Sequence, residues 1–280
     1  MSPKDSSSCH FLVFRKSNKR NEEKALGTIR VTMYYYSQKD SRIIRAFKRR
    51  WVRFWMRYAG LSGFGRFATR LATWLALPHK ASKYLTYMNL RGYIAPTATI
   101  HHSDLRMGAH ILIGDRVIIY QAENGGPVEM GDQVHILRDT IIETGFGGDL
   151  IIGSRTTINP RCQLNAYVAP IRIGSGVQIA PNCALYSYDH GFAPGKTIRE
   201  QPLRTKGQIT IDDDAWLGVG VIVLSGVHIG KGAAVGAASV VTHDIPDGAI
   251  AVGRPARVIR MRSELAPGKK GTPAPGSAET

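Results

Sequence analysis

Of the nine histidines in the chain, His190 lies in the longest polar insertion, YSYDHGFAPGKTIREQPLRTKGQ, between Asp189 and Gly191. An imidazole there could accept the proton of a hydroxyl or an amine as general base, a role worth roughly 10²–10⁴ in rate. An ordinary surface-loop histidine explains the same residue, and chemistry alone leaves the two readings level. Asn159, in TTINPRC, offers an amide to a polar ligand, or serves a sharp bend that Asn tolerates well. Trp216, in DDAWLG, carries an indole that is costly to leave uncovered. Arg257 and Arg260, in GRPARVIR, read by themselves as part of an exposed tail after the coil. Of three cysteines, Cys162 and Cys183 fall where a small hydrophobe is wanted, which favours packing over catalysis. His101, His102, His110 and His135 do not have the spacing of a three-histidine zinc site, and no metal is expected.

These residues must be held by an element with an unusual period. Ile211, Leu217, Val223, Ile229, Val235 and Val241 recur at a strict interval of six. That fits neither a helical turn of 3.6 residues nor one long strand alternating every two. It fits a triangular coil of three short strands, about eighteen residues around, with every sixth side chain inside. Gly218, Gly230 and Gly236 follow interior residues, where close-stacked backbone or a positive φ favours a missing Cβ. A helix would have to carry all the glycines of this stretch at about 1 kcal/mol each.

The same beat appears in fragments from Ile94 onward: Met107, Ile113 and Ile119; Met130, Ile136 and Ile142; Ile152, Ile158 and Leu164; Ile173, Ile179 and Leu185. Between fragments the phase slips at QAENGGP, ETGFGGD, NAYVAP and the His190 insertion, all polar and rich in Gly or Pro. The fragments add up to roughly seven coils, which the chain is expected to leave near Pro246. By its position in this beat Asn159 points outward at a corner, and Trp216 lies outside the prism beside interior Leu217.

Charge divides the 280 residues unevenly. Residues 1–90 hold 19 Lys and Arg against 4 Asp and Glu, whereas residues 91–280 hold 18 against 17. Residues 1–40 read as a disordered basic start and 41–91 as a helical region. In SRIIRAFKRRWVRFWMRYA, Ile44, Phe47, Trp51, Phe54, Trp55 and Tyr58 recur at three and four, with arginines gathered on another side. Such an amphipathic helix suits an anionic membrane interface, through residues 41–77. The competing readings are a cap on the first coil, whose open edge must be covered, and nucleic acid, which no recognisable motif supports. No spanning helix and no secretory signal are expected, and the low cysteine count points to a reducing cytoplasm, with the inner membrane face as the alternative location. Residues 263–280 read as a disordered tail.

Three stretches, DDDAWLGVGVIVLSGVHIGKGAAVGAASVV, YSYDHGF and VGRPARVIR, together with the beat, resemble the hexapeptide-repeat acyltransferases across residues 92–262. The resemblance implies a mainly β fold, a left-handed parallel β-helix, although crossover sterics in general favour the opposite hand. It implies acetyl-CoA as co-substrate, a homotrimer with sites between subunits, and a sugar or other small molecule as acceptor; with the basic helix at an inner membrane face, lipid-linked saccharides of surface polysaccharide biosynthesis become the natural acceptor. Amine acceptors, and a non-catalytic scaffold, remain as alternatives. It also implies roles: His190 as base, Asn159 at the acceptor, Trp216 as a wall of the site, and a backbone N–H at Gly218-Val219 for the thioester oxygen. For coenzyme A it implies Ala237 and Thr242 along the pantetheine and Arg257 and Arg260 at the phosphates. His243 stands where the family often has Lys.

Overall fold

The computed structural model describes residues 42–75 and 82–265. All of them except Leu265 belong to one compact unit, Tyr35–Glu264. The expected 1–40 segment and nearly all of the 263–280 tail lie outside the described residues.

The β-region is a left-handed parallel β-helix of about seven turns with three faces. The first face stacks Tyr93–Ile94, Leu112–Ile113, His135–Ile136, Thr157–Ile158, Gln178–Ile179, Trp216–Leu217 and Ala234–Val235. The second runs from Thr99–His101 through Gln163–Tyr167 and Ala184–Tyr186 to Val240–Val241, and the third from Leu105–Met107 to His228–Ile229. Pairing is parallel and in register, so that Ile136, Ile158, Ile179, Leu217 and Val235 form one column. These five side chains are fully buried, as are Ile211, Val223, Ile229 and Val241 of the six-residue run. Stacking aliphatics in columns removes nearly all their area from water, at about 25 cal/mol per Å², and each coil buries its neighbour.

The corners separate two kinds of glycine. Gly218 is needed for close approach: a Cβ there would lie 2.6 Å from the backbone nitrogen of Ala237 in the next coil. The left-handed conformation falls two residues later, at Gly220, and at equivalent corners it is taken by Arg116, Asp139, Arg161 and Asn182. Non-glycine residues in that region are uncommon and cost about 1–2 kcal/mol. The stacked coils on both sides hold them there.

All four phase slips bulge from one edge, where the second face meets the third. The chain leaves the prism later than Pro246. Ile245 bridges Ile229, Ala249–Gly253 continues the first face, and Ala256–Met261 turns back antiparallel along it. That hairpin pairs the backbone groups an open last coil would leave exposed.

The other end is capped by helices α1 (Arg42–Met56), α2 (Gly63–Trp74) and α3 (Ser82–Thr86). Val52, Met56, Ala59 and Ala72 are buried in one cluster with Tyr93, Ala95 and Leu112 of the first coils. The Arg66 guanidinium donates to the carbonyls of Pro96 and Ala98, and Asn89 donates to those of Met56 and Ala59 at the end of α1. The helices therefore pack on the first coils through Val52 and Met56, with Trp51 and Trp55 partly buried beside them, while the other rings face outward. Phe47, Phe54, Tyr58, Phe64, Phe67 and Trp74 stay exposed, Trp74 at 75%.

Candidate active site

His190 is carried by a two-strand hairpin that leaves the second face after Tyr186 and pairs Asp189–His190 with Leu203–Arg204. The hairpin is fastened at its root and tip. Thr205 Oγ1 donates to the Ser187 carbonyl at 2.7 Å, and Ser225 Oγ donates to Asp189 Oδ2 at 3.2 Å. Across the loop, Gln201 accepts from the Ala193 N–H at 2.7 Å and returns a bond to its carbonyl at 3.0 Å. The His190 ring is exposed, edge-on to Tyr188 at 6.2 Å, and neither nitrogen has a hydrogen-bond partner among the described residues. Asp189 is tied to Ser225 and does not orient the imidazole. The ring is thus free to accept a proton from a ligand, on a support that is itself fixed.

The other expected residues do not gather around it in one chain. Trp216 leaves the first face, 48% exposed. In a triangular prism the edge between the second and third faces is opposite the first face. The Trp216 indole and the His190 imidazole of one chain therefore point away from each other. Asn159, Gly218, Val219 and Ala237 lie along the edge between the first and second faces, where Asn159 N–H donates to the Ile179 carbonyl and Gly218 N–H to that of Val235. The Gly218 N–H is thereby committed to the coil, leaving that of Val219, which has no partner among the described residues, as the available donor. Thr242 and His243 return to the edge that carries His190, two coils further on, with Thr242 Oγ1 and His243 Nδ1 at 2.8 Å. Arg257 and Arg260 are exposed on the closing hairpin.

Asn159 Nδ2 donates to the Ile179 carbonyl at 2.9 Å, so half of the amide serves the turn. Its side chain opens into a cavity of about 530 Å³ between α3 and the first face, shared with Ser82, Tyr87, Leu112, Asp115 and His135. Sequence reasoning missed His135 as more than a member of an unsuitable zinc set. Its Nε2 is buried with no partner, and burial together with the nearby Lys83 pushes its pKa down to about 4. Only the first-face position, like that of Trp216, was readable in advance. The burial comes from α3. Cys162 and Cys183 are buried and donate to the carbonyls of Ala180 and Gly218, each at 3.2 Å, as packing residues would.

No protein-family model matches the chain. Its sequence is 39% identical over 115 residues to a putative acetyltransferase of Schizosaccharomyces pombe, covering 41% of this chain and 54% of that protein. It is 40% identical over 90 residues to a galactoside O-acetyltransferase of Lactococcus lactis, covering 32% and 42%. A 2,3,4,5-tetrahydropyridine-2,6-dicarboxylate N-acetyltransferase of Staphylococcus aureus is 45% identical over 62 residues, covering 22% and 26%. The chain spans about half the length of these curated relatives. Among solved structures, the polySia specific acetyltransferase NeuO superposes with a TM-score of 0.39 at 23% identity, over 63% of this chain and 88% of that one. AntD, an N-acyltransferase of Bacillus cereus, gives 0.38 at 21%, over 59% and 82%.

A parallel β-helix built in six-residue steps, with relatives that bear the name acetyltransferase, places the chain beside the hexapeptide-repeat acyltransferases. Its named relatives include both O- and N-acetyltransferases.

Proposed function

We propose that this protein transfers an acetyl group from acetyl-CoA directly to a hydroxyl of a saccharide, with His190 as general base. The observation that carries the proposal is the hairpin that presents the imidazole, unpaired and exposed, on a fastened support at the prism edge. In the reaction an imidazole nitrogen takes the hydroxyl proton as the oxygen attacks the thioester carbonyl. The tetrahedral oxyanion accepts from the Val219 N–H, and collapse expels the thiolate, which recovers the proton from His190. Trp216, Val219 and Ala237 leave a single chain on other sides than His190, so the complete site takes them from a neighbouring copy, in a homotrimer. Ala237 and Thr242 then flank the pantetheine, Arg257 and Arg260 meet the phosphates, and Asn159 reaches the acceptor. An amine acceptor is the second reading, favoured by the N-acetyltransferase among the relatives.

The experiment is acetyl-CoA with a panel of free, nucleotide-linked and lipid-linked sugars and amino sugars, read by mass spectrometry for the native chain and His190→Ala. A product that appears at the same rate with both proteins would remove His190 from the mechanism. Acetylation at nitrogen alone would select the second reading.

The exposed aromatic face of α1 and α2 supports peripheral binding to an anionic membrane, such as the inner face of a cell membrane, which would put lipid-linked saccharides within reach. Phe54, Tyr58 and Phe64 form a continuous edge-to-face row with centroids 5.6 and 6.0 Å apart, beside Arg50, Arg53 and Arg57. Aromatic rings flanked by guanidinium groups partition into the headgroup region of anionic bilayers. No helix among the described residues is long and apolar enough to cross a membrane.

A further inference from the structure

Below His190, the edge and outer second face carry a run of rings that the transfer chemistry does not use. Phe146 lies 5.8 Å from Tyr167, and Tyr167 5.1 Å from Tyr188, whose other neighbours are Tyr186 at 5.9 Å and the His190 ring. Beside them, in register on consecutive coils, stand Tyr120, Glu143, Asn165 and Tyr186. Phe146 is 50% exposed and Tyr120 45%. In their midst the Asn165 side chain is 7% exposed, and its Oδ1 has no hydrogen-bond donor. Glu143 likewise has no cation partner among the described residues.

We propose that this strip is a binding rail for an extended, uncharged saccharide whose acceptor unit ends at His190. The inference rests on the transferase reading and adds the length and charge of the acceptor. Sugar rings present both C–H faces and hydroxyls, and the strip answers each: half-exposed rings for the first, phenols and the Glu143 carboxylate for the second. Burial foremost, then Glu143 and neighbouring phenols, raises the pKa of Tyr167, and burial, then Tyr186 and Glu143, raises that of Tyr188. Both phenols therefore remain donors at neutral pH. From Tyr120 to Tyr186 the strip spans three strand spacings, about 14 Å, the length of about three sugar rings. Glu143 repels uronic and sialic acids, and phosphates with them. It also argues against a second copy of the chain as occupant, because a protein interface would bury that carboxylate unpaired.

The test is binding without acetyl-CoA, so that it does not depend on turnover. The full chain is titrated with malto-, chito- and galacto-oligosaccharides of one to six units, and with oligogalacturonates. The expected result is affinity that rises at least about tenfold between one and four units in a neutral series. Tyr120→Ala combined with Phe146→Ala removes that rise, leaves binding of the single sugar unchanged, and keeps the native oligomeric state by light scattering. Glu143→Lys shifts preference toward the oligogalacturonates. The proposal is overturned if no neutral series gains with length, if oligogalacturonates bind the native chain as well as neutral ones, or if the double variant changes subunit number, which would make the rings a subunit contact. Acetyl transfer measured separately with short acceptors keeps the transferase reading distinct from each of these outcomes.

Discussion

At the scale of single residues, the contrast is between His190 and His135. His190 is exposed, so replacing it should leave stability within about 0.5 kcal/mol. Its loss should lower acetyl transfer by roughly 10²–10⁴ if it acts as base. Thermal melts beside rate measurements on His190→Ala check both, and a large fall in melting temperature would recast the residue as structural. His135 is the reverse case. Its folded pKa, near 4, lies below the ordinary histidine value of about 6.5, so between these pH values the unfolded chain binds a proton that the folded chain refuses. Stability should therefore fall as pH drops from about 6.5 toward 4. His135→Gln should lose less melting temperature over that interval than the native chain; equal losses would show that carboxylates, not His135, set the acid response. His190 could be picked out beforehand because a long polar insertion after an interior column is a sequence pattern. Nothing comparable marks His135, because the helix that buries it lies some fifty residues earlier in the chain.

At the scale of elements, the helical region shows how a period can be legible while the packed side of the helix is not. The three-and-four spacing of aromatics in α1 is real, but the residues buried against the first coils are Val52, Met56 and Ala59. A helix that caps a solenoid must fit a small patch of outward Tyr93 and Leu112, and here Val52 and Met56 fill its centre while Trp51 and Trp55 close its rim. Two faces with separate duties predict separable effects. Met56→Ala should destabilise the fold by about 2–5 kcal/mol, because it opens a cavity under the cap. Phe54→Ser with Phe64→Ser should leave the melting temperature nearly unchanged while reducing flotation with vesicles rich in phosphatidylserine. Full flotation by that variant would leave the exposed rings without a membrane role.

At the scale of the molecule, the geometry of a triangular prism makes a prediction of its own. His190 and Trp216 lie on opposite sides of one chain, so a working site would draw them from two copies. Co-expressed chains bearing His190→Ala and Trp216→Ala should then recover activity that neither shows alone, since some pairings of copies unite a native His190 with a native Trp216. Mixed assemblies that stay inactive would mean that Trp216 does not complete the neighbour's site. The measurement is transfer rate in purified mixed oligomers carrying two different affinity tags.

The six-residue beat by itself determined the prism, its interior columns, and the places in the chain where insertions interrupt it. Each of these follows from which side chains must avoid water, and that is a local, periodic property. The sequence also marked His190 and the outward positions of Asn159 and Trp216. Only the tertiary structure decided that Asn159 shares a cavity with His135, that α1 turns Val52 and Met56 inward, and that rings on successive coils align below His190. Those are contacts between residues far apart in the chain, fixed by how coils stack and where helices dock, and no period in the sequence encodes them.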